Sequence, residues 1–417
     1  MEKNKILNSG NITFFLLYIS LFVGFFFNEE SSGSGGFIND FNNTWPYVKQ
    51  LQEDLFTAPS KWRLLHPPLH FILLSKINYI LTSKEEIRLF FCALSILVPL
   101  LFYKCLKIKF PEINKKHLLI FASMIFIFPA FRSGAIWAND HITSLIFFLL
   151  FLFYFLKWQK SSNFVKLNYL IYYQLIFLAL ACYCRQYYVL IYLYLIYIYF
   201  KKFNFINVFK ILIIAFILSL PGFILIYFDP AILRVSFDVR LHNTFLISSS
   251  MMSLYVIPIF FIVYVINKNS LEYPKNLIIS FALSTVFVLF LSKYFVWNWG
   301  QGGGLFFKGS YLLFENNIIF LISAIFGSSL LFYIAKENTE NIYLIILLLI
   351  GFSSYKIHQK YFEPWFLMIM FLMLKTSITN NFLKKLSNII LLKVFFAVYL
   401  LVAIINYVFQ ITNNYEI

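Results

Sequence analysis

The chain alternates between long apolar runs and short polar connectors. Runs such as NITFFLLYISLFVGFFF, LIFFLLFLFYFL and IILLKVFFAVYLLVAIINYVF approach or exceed the length needed to cross a membrane as helices. A backbone in lipid must satisfy its own hydrogen bonds, so helices are the expected structure for these runs. The pattern therefore predicts an all-α polytopic membrane protein.

Composition and charge agree with this class. Hydrophobic residues make up 61% of the chain and charged residues 12%, with a mean hydropathy of +0.77. Soluble domains carry about 25% charged residues. The net charge is +16, but the basic residues lie between apolar runs and form no cluster, which argues against a nucleic-acid partner. The four cysteines lie in or beside apolar segments, so neither a disulfide framework nor a zinc site is predicted.

The lysine-rich connectors predict the topology, because such connectors face the cytoplasm. Placing all of them inside gives about thirteen crossings, with the C-terminus outside. The chain is then one domain with a first outer loop at 29–86 containing interfacial helices, including HPPLHFILLSKINYILTS. Core spans follow at 87–228 and C-terminal spans at 229–417, with outer loops at 229–249, 296–315 and 356–360. The predicted spans are 12–28, 87–107, 117–131, 139–157, 167–183, 186–200, 208–228, 250–266, 276–295, 316–335, 341–355, 361–375 and 388–411.

All six arginines fall on the outer face of this topology, whereas the inner connectors use only lysine. Arginine's planar fork binds phosphate through two hydrogen bonds and stays protonated, so a phosphate ligand is one explanation. Chance together with snorkelling to lipid headgroups is the alternative. The six are Arg63, Arg88, Arg132, Arg185, Arg234 and Arg240.

Two acids on the outer face are candidate catalytic groups. Asp40 lies in the long first outer loop, and a carboxylate within reach of a hydroxyl can act as a general base. A solvated loop acid is the alternative. Asp140 follows Asn139 and precedes His141 in FRSGAIWANDH, where a helix cap is the alternative role. Asp40 and Asp140 together could hold a divalent cation, although two carboxylates form a minimal ligand set.

Two outer turns carry further polar groups. Arg185 and Gln186 interrupt the apolar stretch IFLALACYCRQYYVLIYLY, where they serve either as a loop cation or as a grip on a lipid-linked phosphate. In SSYKIHQKYFEPW, a helix would place Lys356 and Lys360 on one face, with interfacial snorkelling as the alternative. The glycine-rich WNWGQGGGLFFKG lacks Walker spacing and is interpreted as a mobile lid or a packing loop.

These outer-face motifs resemble those of the multi-spanning GT-C glycosyltransferases that take sugars from polyprenyl-phosphate carriers, such as protein mannosyltransferases and aminoarabinose transferases. The resemblance rests on Asp40, HPPLHF, EEIRLF with Arg88, FRSGAIWANDH and HQKYFEPW, spread over most of the chain. HPPLHF and CRQYY are also similar to the TPP and RQTN segments of the dolichyl-phosphate-glucose glucosyltransferase. Here His66 replaces the threonine, and Tyr187 and Tyr188 replace the T-N pair.

The resemblance implies a GT-C bundle and inverting transfer of a sugar to an acceptor hydroxyl, with Asp40 as base and Asp140 as the second catalytic carboxylate. Cations would stabilise the departing phosphate, where charge develops in the transition state. The implied phosphate-binding residues are Arg88, Arg132, Arg185, Lys356, His358 and Lys360. The residues expected to contact substrate are Asn39, His66, Asn139, His141, Gln186 and Tyr361.

Two other functions fit the same sequence. A lipid-linked sugar flippase or transporter would need ionisable groups deep within spans, and few are found there. An O-antigen polymerase or ligase would share the outer arginines and the lipid carrier, but would depend less on Asp40. The expected partners are a polyprenyl-phosphate-linked sugar, a glycan, lipid or protein acceptor, and membrane lipid. The expected location is a bacterial inner membrane with a periplasmic active face, or the endoplasmic reticulum membrane with a lumenal one.

Overall fold

The computed structural model describes residues 9–31, 36–55, 66–161, 167–228, 240–268, 274–352 and 354–414. Within these ranges the regular structure is helical, and the only β pairing is an isolated parallel bridge between Gly302 and Ile357. The contacts divide the chain into two compact units, and the prediction of one domain stays a prediction. Unit 1 is Met1–Leu233 with Phe396–Ile417, and unit 2 is Arg234–Phe395.

Unit 1 contains eleven of the described α-helices, numbered in chain order, and the end of a long last helix described below. They are α1 Ser9–Phe26, α2 Gly36–Glu53, α3 Leu69–Ile77, α4 Lys84–Leu94, α5 Leu97–Lys109, α6 Lys115–Ala122, α7 Pro129–Ile136, α8 Asp140–Lys160, α9 Tyr169–Cys184, α10 Val189–Lys202 and α11 Phe205–Phe228. Short 3-10 turns at Ser123–Ile127 and Gln186–Tyr188 lead into α7 and α10.

The remaining described α-helices begin in unit 2. They are α12 Leu241–Phe260, α13 Pro274–Ser292, α14 Gly304–Phe314, α15 Ile318–Ala335, α16 Thr339–Ile350, α17 Trp365–Leu372, α18 Ser377–Lys384 and α19 Leu386–Asn414. A π-helical segment, Phe261–Ile266, continues α12.

Seven helices among the described residues are long and apolar enough to cross a membrane, or up to nine if each of two bent pairs forms one span. The predicted all-helical character is thus confirmed, and the helices are consistent with a polytopic membrane protein. Each predicted span overlaps a helix, but α16 has only 12 residues and measures about 18 Å, well short of the hydrocarbon layer. The count of thirteen crossings stays a prediction. The seven are Lys84–Lys109, Asp140–Lys160, Phe205–Phe228, Leu241–Ile266, Pro274–Ser292, Ile318–Ala335 and Leu386–Val408.

Two predicted spans are bent. The segment Lys115–Ile127 meets Pro129–Ile136 at 68°, and Gln359–Leu372 meets Ser377–Lys384 at 98°. In the first, Pro129 cannot donate a hydrogen bond to the preceding turn, so the backbone breaks and α7 starts in a new direction. From this bend, α7 leads directly to the candidate site residues Asn139 and Asp140.

The predicted first outer loop contains two helices, α2 and α3, which pack against each other. Along α2, the buried residues recur every three or four positions, which is the stripe of an amphipathic helix. α3 has nine residues, or about 14 Å, less than half the hydrocarbon thickness. Both helices contribute to a hydrophobic cluster whose members include Phe37, Phe41, Trp45, Val48, Leu51, Phe71, Leu74, Ile87, Phe91, Ile136 and Trp137.

The helices α8 and α9 pack against each other and are joined by a short connection. Short connections join antiparallel neighbours in helical bundles. The beginning of α8 and the end of α9 therefore lie at the same end of unit 1, and this brings Asp140 close to Arg185.

In unit 2, the glycine-rich loop is a packing loop. Gly302, Gly303 and Gly304 all have positive φ values, of +101°, +87° and +81°. Gly303 N–H donates to the Ile357 carbonyl at 2.8 Å, and Ile357 N–H donates to the Gln301 carbonyl at 3.0 Å. A Cβ at Gly302 would lie 2.2 Å from the Ile357 oxygen, so only glycine permits this approach.

Candidate functional site

A cleft of about 260 Å³ lies in unit 1, between α2, the segment that leads into α3 and the ends of α8 and α9. Segments that are far apart in sequence meet around it. Five residues singled out from the sequence line this cleft: Asp40, His66, Asn139, Asp140 and Arg185. Its other lining residues are Phe41, Asn43, Thr44, His70, Phe71, Trp137 and Ala138.

Asp140 and Arg185 form a salt bridge in the wall of the cleft, and their side chains are only 2% and 3% exposed. Arg185 also donates from Nη2 to the Asn139 side-chain oxygen at 3.2 Å, and its Nη1 lies 3.2 Å from His66 Nε2. A buried ion pair is tolerated only when further hydrogen bonds satisfy the charged groups. Asn139 and His66 supply such contacts to the Arg185 member of the pair.

Local sequence explains how Asp140 reaches this place. Asn139 caps α8, because its side-chain oxygen accepts a hydrogen bond from the His141 N–H at 3.2 Å. Asp140 is then the first helical residue, where the helix dipole favours a negative charge. The capping role and the role in the cleft are therefore compatible, and Asn139 serves both.

Asp40 lies on α2 and is half-buried at the cleft. The hydrophobic stripe of α2 packs on Trp137 and its neighbours. The face of α2 beside this stripe lines the cleft with Asp40, Asn43 and Thr44. Asn39 is exposed and lies outside the lining. The structure thus brings the candidate base and the ion pair together around one space.

Two further candidates of unit 1, His141 and Gln186, are chain neighbours of the cleft residues Asp140 and Arg185. His141 is buried, with Nδ1 3.5 Å from the Tyr187 hydroxyl and its ring against Phe37. Gln186 lines a separate groove of about 480 Å³ between α9, α10 and α11. That groove is largely apolar, and Pro67 and Gln186 line it while their chain neighbours His66 and Arg185 line the cleft. The groove and the cleft are therefore adjacent.

Arg132 is held by protein groups away from the cleft lining. Its Nε and Nη2 each donate to the Glu29 carboxylate at 2.6 Å. Further hydrogen bonds run from Nη1 to the Ser20 hydroxyl and the Phe126 carbonyl, and from Nη2 to the Ser20 carbonyl. These contacts use all five N–H groups of a guanidinium. Arg132 therefore fastens α7 to α1 rather than facing the cleft.

Arg88 has a similar structural environment. Its guanidinium stacks on the Trp137 ring at 3.6 Å, its Nε donates to the Ile136 carbonyl at 3.1 Å, and its Nη2 donates to Asn28 at 2.9 Å. Trp137 in turn donates from its indole nitrogen to the Glu29 carbonyl at 3.0 Å. Arg88 thus braces the wall of the cleft from behind Trp137.

Lys356, His358, Lys360 and Tyr361 belong to unit 2. The expectation that a helix places Lys356 and Lys360 on one face is wrong, because Lys356 precedes the bridge residue Ile357 and only Gln359–Tyr361 form a 3-10 turn. The backbone of Ile357 pairs with the glycine loop instead of with a helical turn. Lys356 is exposed, and the other three are half-buried.

Among the described residues, no further ligand joins Asp40 and Asp140 at the possible metal site. The ranges described above contain no cluster of three or more His, Cys, Asp or Glu side chains that could hold a metal ion. Asp140 is paired with Arg185 rather than aimed at a second acid. A cation held by Asp40 and Asp140 stays a prediction.

Sequence analysis missed one buried polar residue of the cleft, His70. Its Nε2 lies 2.9 Å from the Ala138 carbonyl oxygen, and its Nδ1 lies 2.8 Å from the Thr143 hydroxyl. Burial lowers the pKa of His70 to about 3, so the ring is neutral. No local pattern marked this residue, because its partners Ala138 and Thr143 lie 68 and 73 positions later in the chain.

Comparison with known proteins identifies no relative. No family model, no curated protein sequence and no solved structure matches the chain. The resemblance to GT-C glycosyltransferases therefore rests on the short motifs alone, and function must be argued from the cleft.

Proposed function

We propose that this protein is an integral-membrane glycosyltransferase that moves a sugar from a polyprenyl-phosphate carrier to an acceptor hydroxyl. One observation carries the proposal. The half-buried Asp40 lines the same cleft as the buried Asp140–Arg185 pair, although α2, α8 and the end of α9 are far apart in sequence. The proposed transfer needs an acid and a restrained guanidinium around one space.

The acid supplies the base. Asp40 accepts the proton of the acceptor hydroxyl while the hydroxyl oxygen attacks the anomeric carbon of the sugar. The bond between that carbon and the phosphate oxygen breaks, and polyprenyl phosphate leaves with the electron pair. Attack from the side opposite the leaving group inverts the anomeric configuration. No nucleotide is consumed, because the carrier already has a phosphate leaving group.

The guanidinium stabilises the leaving phosphate. Negative charge develops there in the transition state, and preorganised donors lower the barrier without having to reorganise. Asp140 and Asn139 hold the Arg185 side chain in place, and His66 lies beside it on the cleft wall. In this proposal Asp140 acts through Arg185. Arg88 and Arg132 stabilise the wall. The phosphate-binding role of Lys356, His358 and Lys360, which belong to unit 2, stays a prediction from the sequence.

The apolar groove next to the cleft is suited to the lipid chain of a polyprenyl-phosphate donor. It is lined mainly by apolar side chains of α9, α10 and α11, and includes Tyr183, Tyr192 and Gly222. An isoprenoid chain in this groove would place its phosphate end at Gln186 and Pro67, next to the cleft. The proposed location is a bacterial inner membrane with a periplasmic cleft, or the endoplasmic reticulum with a lumenal one.

The test is a transfer assay on purified protein in lipid vesicles, with a panel of radiolabelled polyprenyl-phosphate sugars and candidate acceptors. The proposal predicts labelled acceptor and an equal amount of released polyprenyl phosphate. Vesicles without acceptor are the control for hydrolysis. Movement of labelled donor between leaflets without any transfer would support a flippase and contradict the proposal.

A further inference from the structure

His70 links α3 to residues that precede and follow Asp140 in the sequence. A carbonyl oxygen can only accept a hydrogen bond, so His70 Nε2 carries the proton and donates to Ala138. With the ring neutral, Nδ1 accepts the hydrogen bond of the Thr143 hydroxyl. Ala138 precedes Asp140 by two residues and Thr143 follows it by three. One buried ring therefore spans the first turn of α8.

The turn that His70 holds is strained. Ala138 has a φ of +46°, in the left-handed region that residues with a Cβ rarely adopt. Such residues persist only when the surroundings hold them, and they concentrate at functional sites. Here the turn ends α7, lets the Asn139 N–H bond to the Gly134 carbonyl at 2.9 Å, and starts α8 at Asp140.

The same short segment also reaches the other member of the ion pair. His66 lies four residues before His70, and its ring nitrogen Nε2 is 3.2 Å from Arg185 Nη1. One histidine of HPPLH, His66, therefore contacts Arg185, and the other, His70, contacts the turn that carries Asp140.

We propose that His70 is a positioning residue that holds the strained Ala138 turn in the form that presents Asp140 to Arg185. This inference deepens the proposed function, because the catalytic consequence of the position of Arg185 rests on that function. His70 itself transfers no proton and contacts no reacting atom. Its effect reaches the leaving phosphate through Asp140 and Arg185.

Two amide variants separate the two hydrogen bonds of His70. In His70→Gln the amide nitrogen can lie near the position of ring Nε2 and still donate to Ala138. In His70→Asn the shorter amide reaches only the position of Nδ1, so the bond to Ala138 is lost. Loss of one buried hydrogen bond corresponds to a change of about tenfold in a local opening equilibrium.

The primary readout is hydrogen exchange of the amides of residues 137–143 in the full protein, followed by mass spectrometry. His70→Asn should exchange about tenfold faster in this segment than the wild type, with the rest of unit 1 unchanged. His70→Gln should stay close to the wild type. In the transfer assay, His70→Asn should lower kcat by about tenfold or more while His70→Gln retains activity.

Equal behaviour of the two variants, whether both match the wild type or both are impaired, would overturn the inference. So would faster exchange spread over all of unit 1. If His70→Asn does not fold, the same comparison is made in an Ala138→Gly background, since glycine adopts a positive φ without strain. The double variant should then fold, because the turn no longer needs the hydrogen bond of His70 to hold it, and a double variant that also fails to fold would overturn the inference. Hydrogen exchange needs no activity, so a failure of the proposed function remains distinguishable.

Discussion

The Arg185 guanidinium contacts the Asp140 carboxylate across the ends of two neighbouring helices, and both side chains are buried. Breaking such a pair by removing one charge leaves the other buried and unpaired, which costs roughly 3–5 kcal/mol. We expect Asp140→Asn to lower the free energy of unfolding in detergent by about this amount.

The double variant Asp140→Asn with Arg185→Gln is the control, because it removes both charges and keeps a polar side chain at each position. It should be more stable than Asp140→Asn alone, yet inactive in transfer. Equal stability of the single and double variants would show that the pair is not coupled in the folded protein.

Two arginines that look equivalent in the sequence should respond differently to the same change. Arg132→Lys loses the fork that binds Glu29 and leaves buried acceptors unsatisfied, which costs about 1–3 kcal/mol of stability. Its folded fraction should keep the wild-type KM for the donor, because Arg132 lies outside the cleft lining. Arg185→Lys should raise that KM. The measurement is donor kinetics alongside unfolding, and a donor KM that rises equally in both variants contradicts these assignments.

The contrast between these arginines marks the limit of sequence reasoning about the site. The predicted outer placement of polar residues led to Asp40, Asp140 and Arg185, because charge and apolar flanks can be read locally. The partner of Arg132 is Glu29, 103 positions earlier in the chain, and no local pattern identifies such a partner. The sequence therefore indicated where the cations lie but not which of them protein groups already satisfy.

The fold, like the site, could be predicted from the sequence only in part. Helices were predictable because a long apolar run in lipid has few other structures available to it. The bends were less predictable, since Pro129 could equally have started a helix or interrupted one. The glycine loop required knowledge of a distant neighbour, because Gly302 is positioned by Ile357. The strained turn at Ala138 had no sequence signal, as alanine is unremarkable there.

The apolar groove makes a prediction about the carrier chain. A Cβ at Gly222 would meet the Tyr183 ring at 3.6 Å, an ordinary contact, so Gly222→Ala should be tolerated. Gly222→Trp would fill part of the groove and should raise the KM for a long-chain donor by about tenfold or more, as one poorly placed contact of 1.4 kcal/mol corresponds to a factor of ten. A donor with a very short chain should be unaffected, and equal effects on the two donors would contradict this use of the groove.

The buried His70 predicts a pH dependence of stability. Its pKa is about 3 in the folded protein against 6.5 for an ordinary histidine, because burial disfavours the charged ring. Between these values the unfolded state binds a proton that the folded state does not, so stability falls as pH decreases below 6.5. The slope from this group is at most about 1.4 kcal/mol per pH unit. His70→Gln should lose this component, and parallel unfolding curves for the two proteins from pH 7 to pH 4, about the range in which this group contributes, would contradict it.

In the proposed reaction, Asp40 takes the proton of the acceptor hydroxyl inside the cleft. The most direct measurement is the transfer rate of Asp40→Asn at saturating donor and acceptor, together with donor affinity, compared with Glu53→Gln, which changes an exposed acid on the same helix. We predict that Asp40→Asn lowers kcat by about 10²–10⁴-fold with donor binding retained, and that Glu53→Gln stays at the wild-type rate. Wild-type turnover in Asp40→Asn would contradict the account.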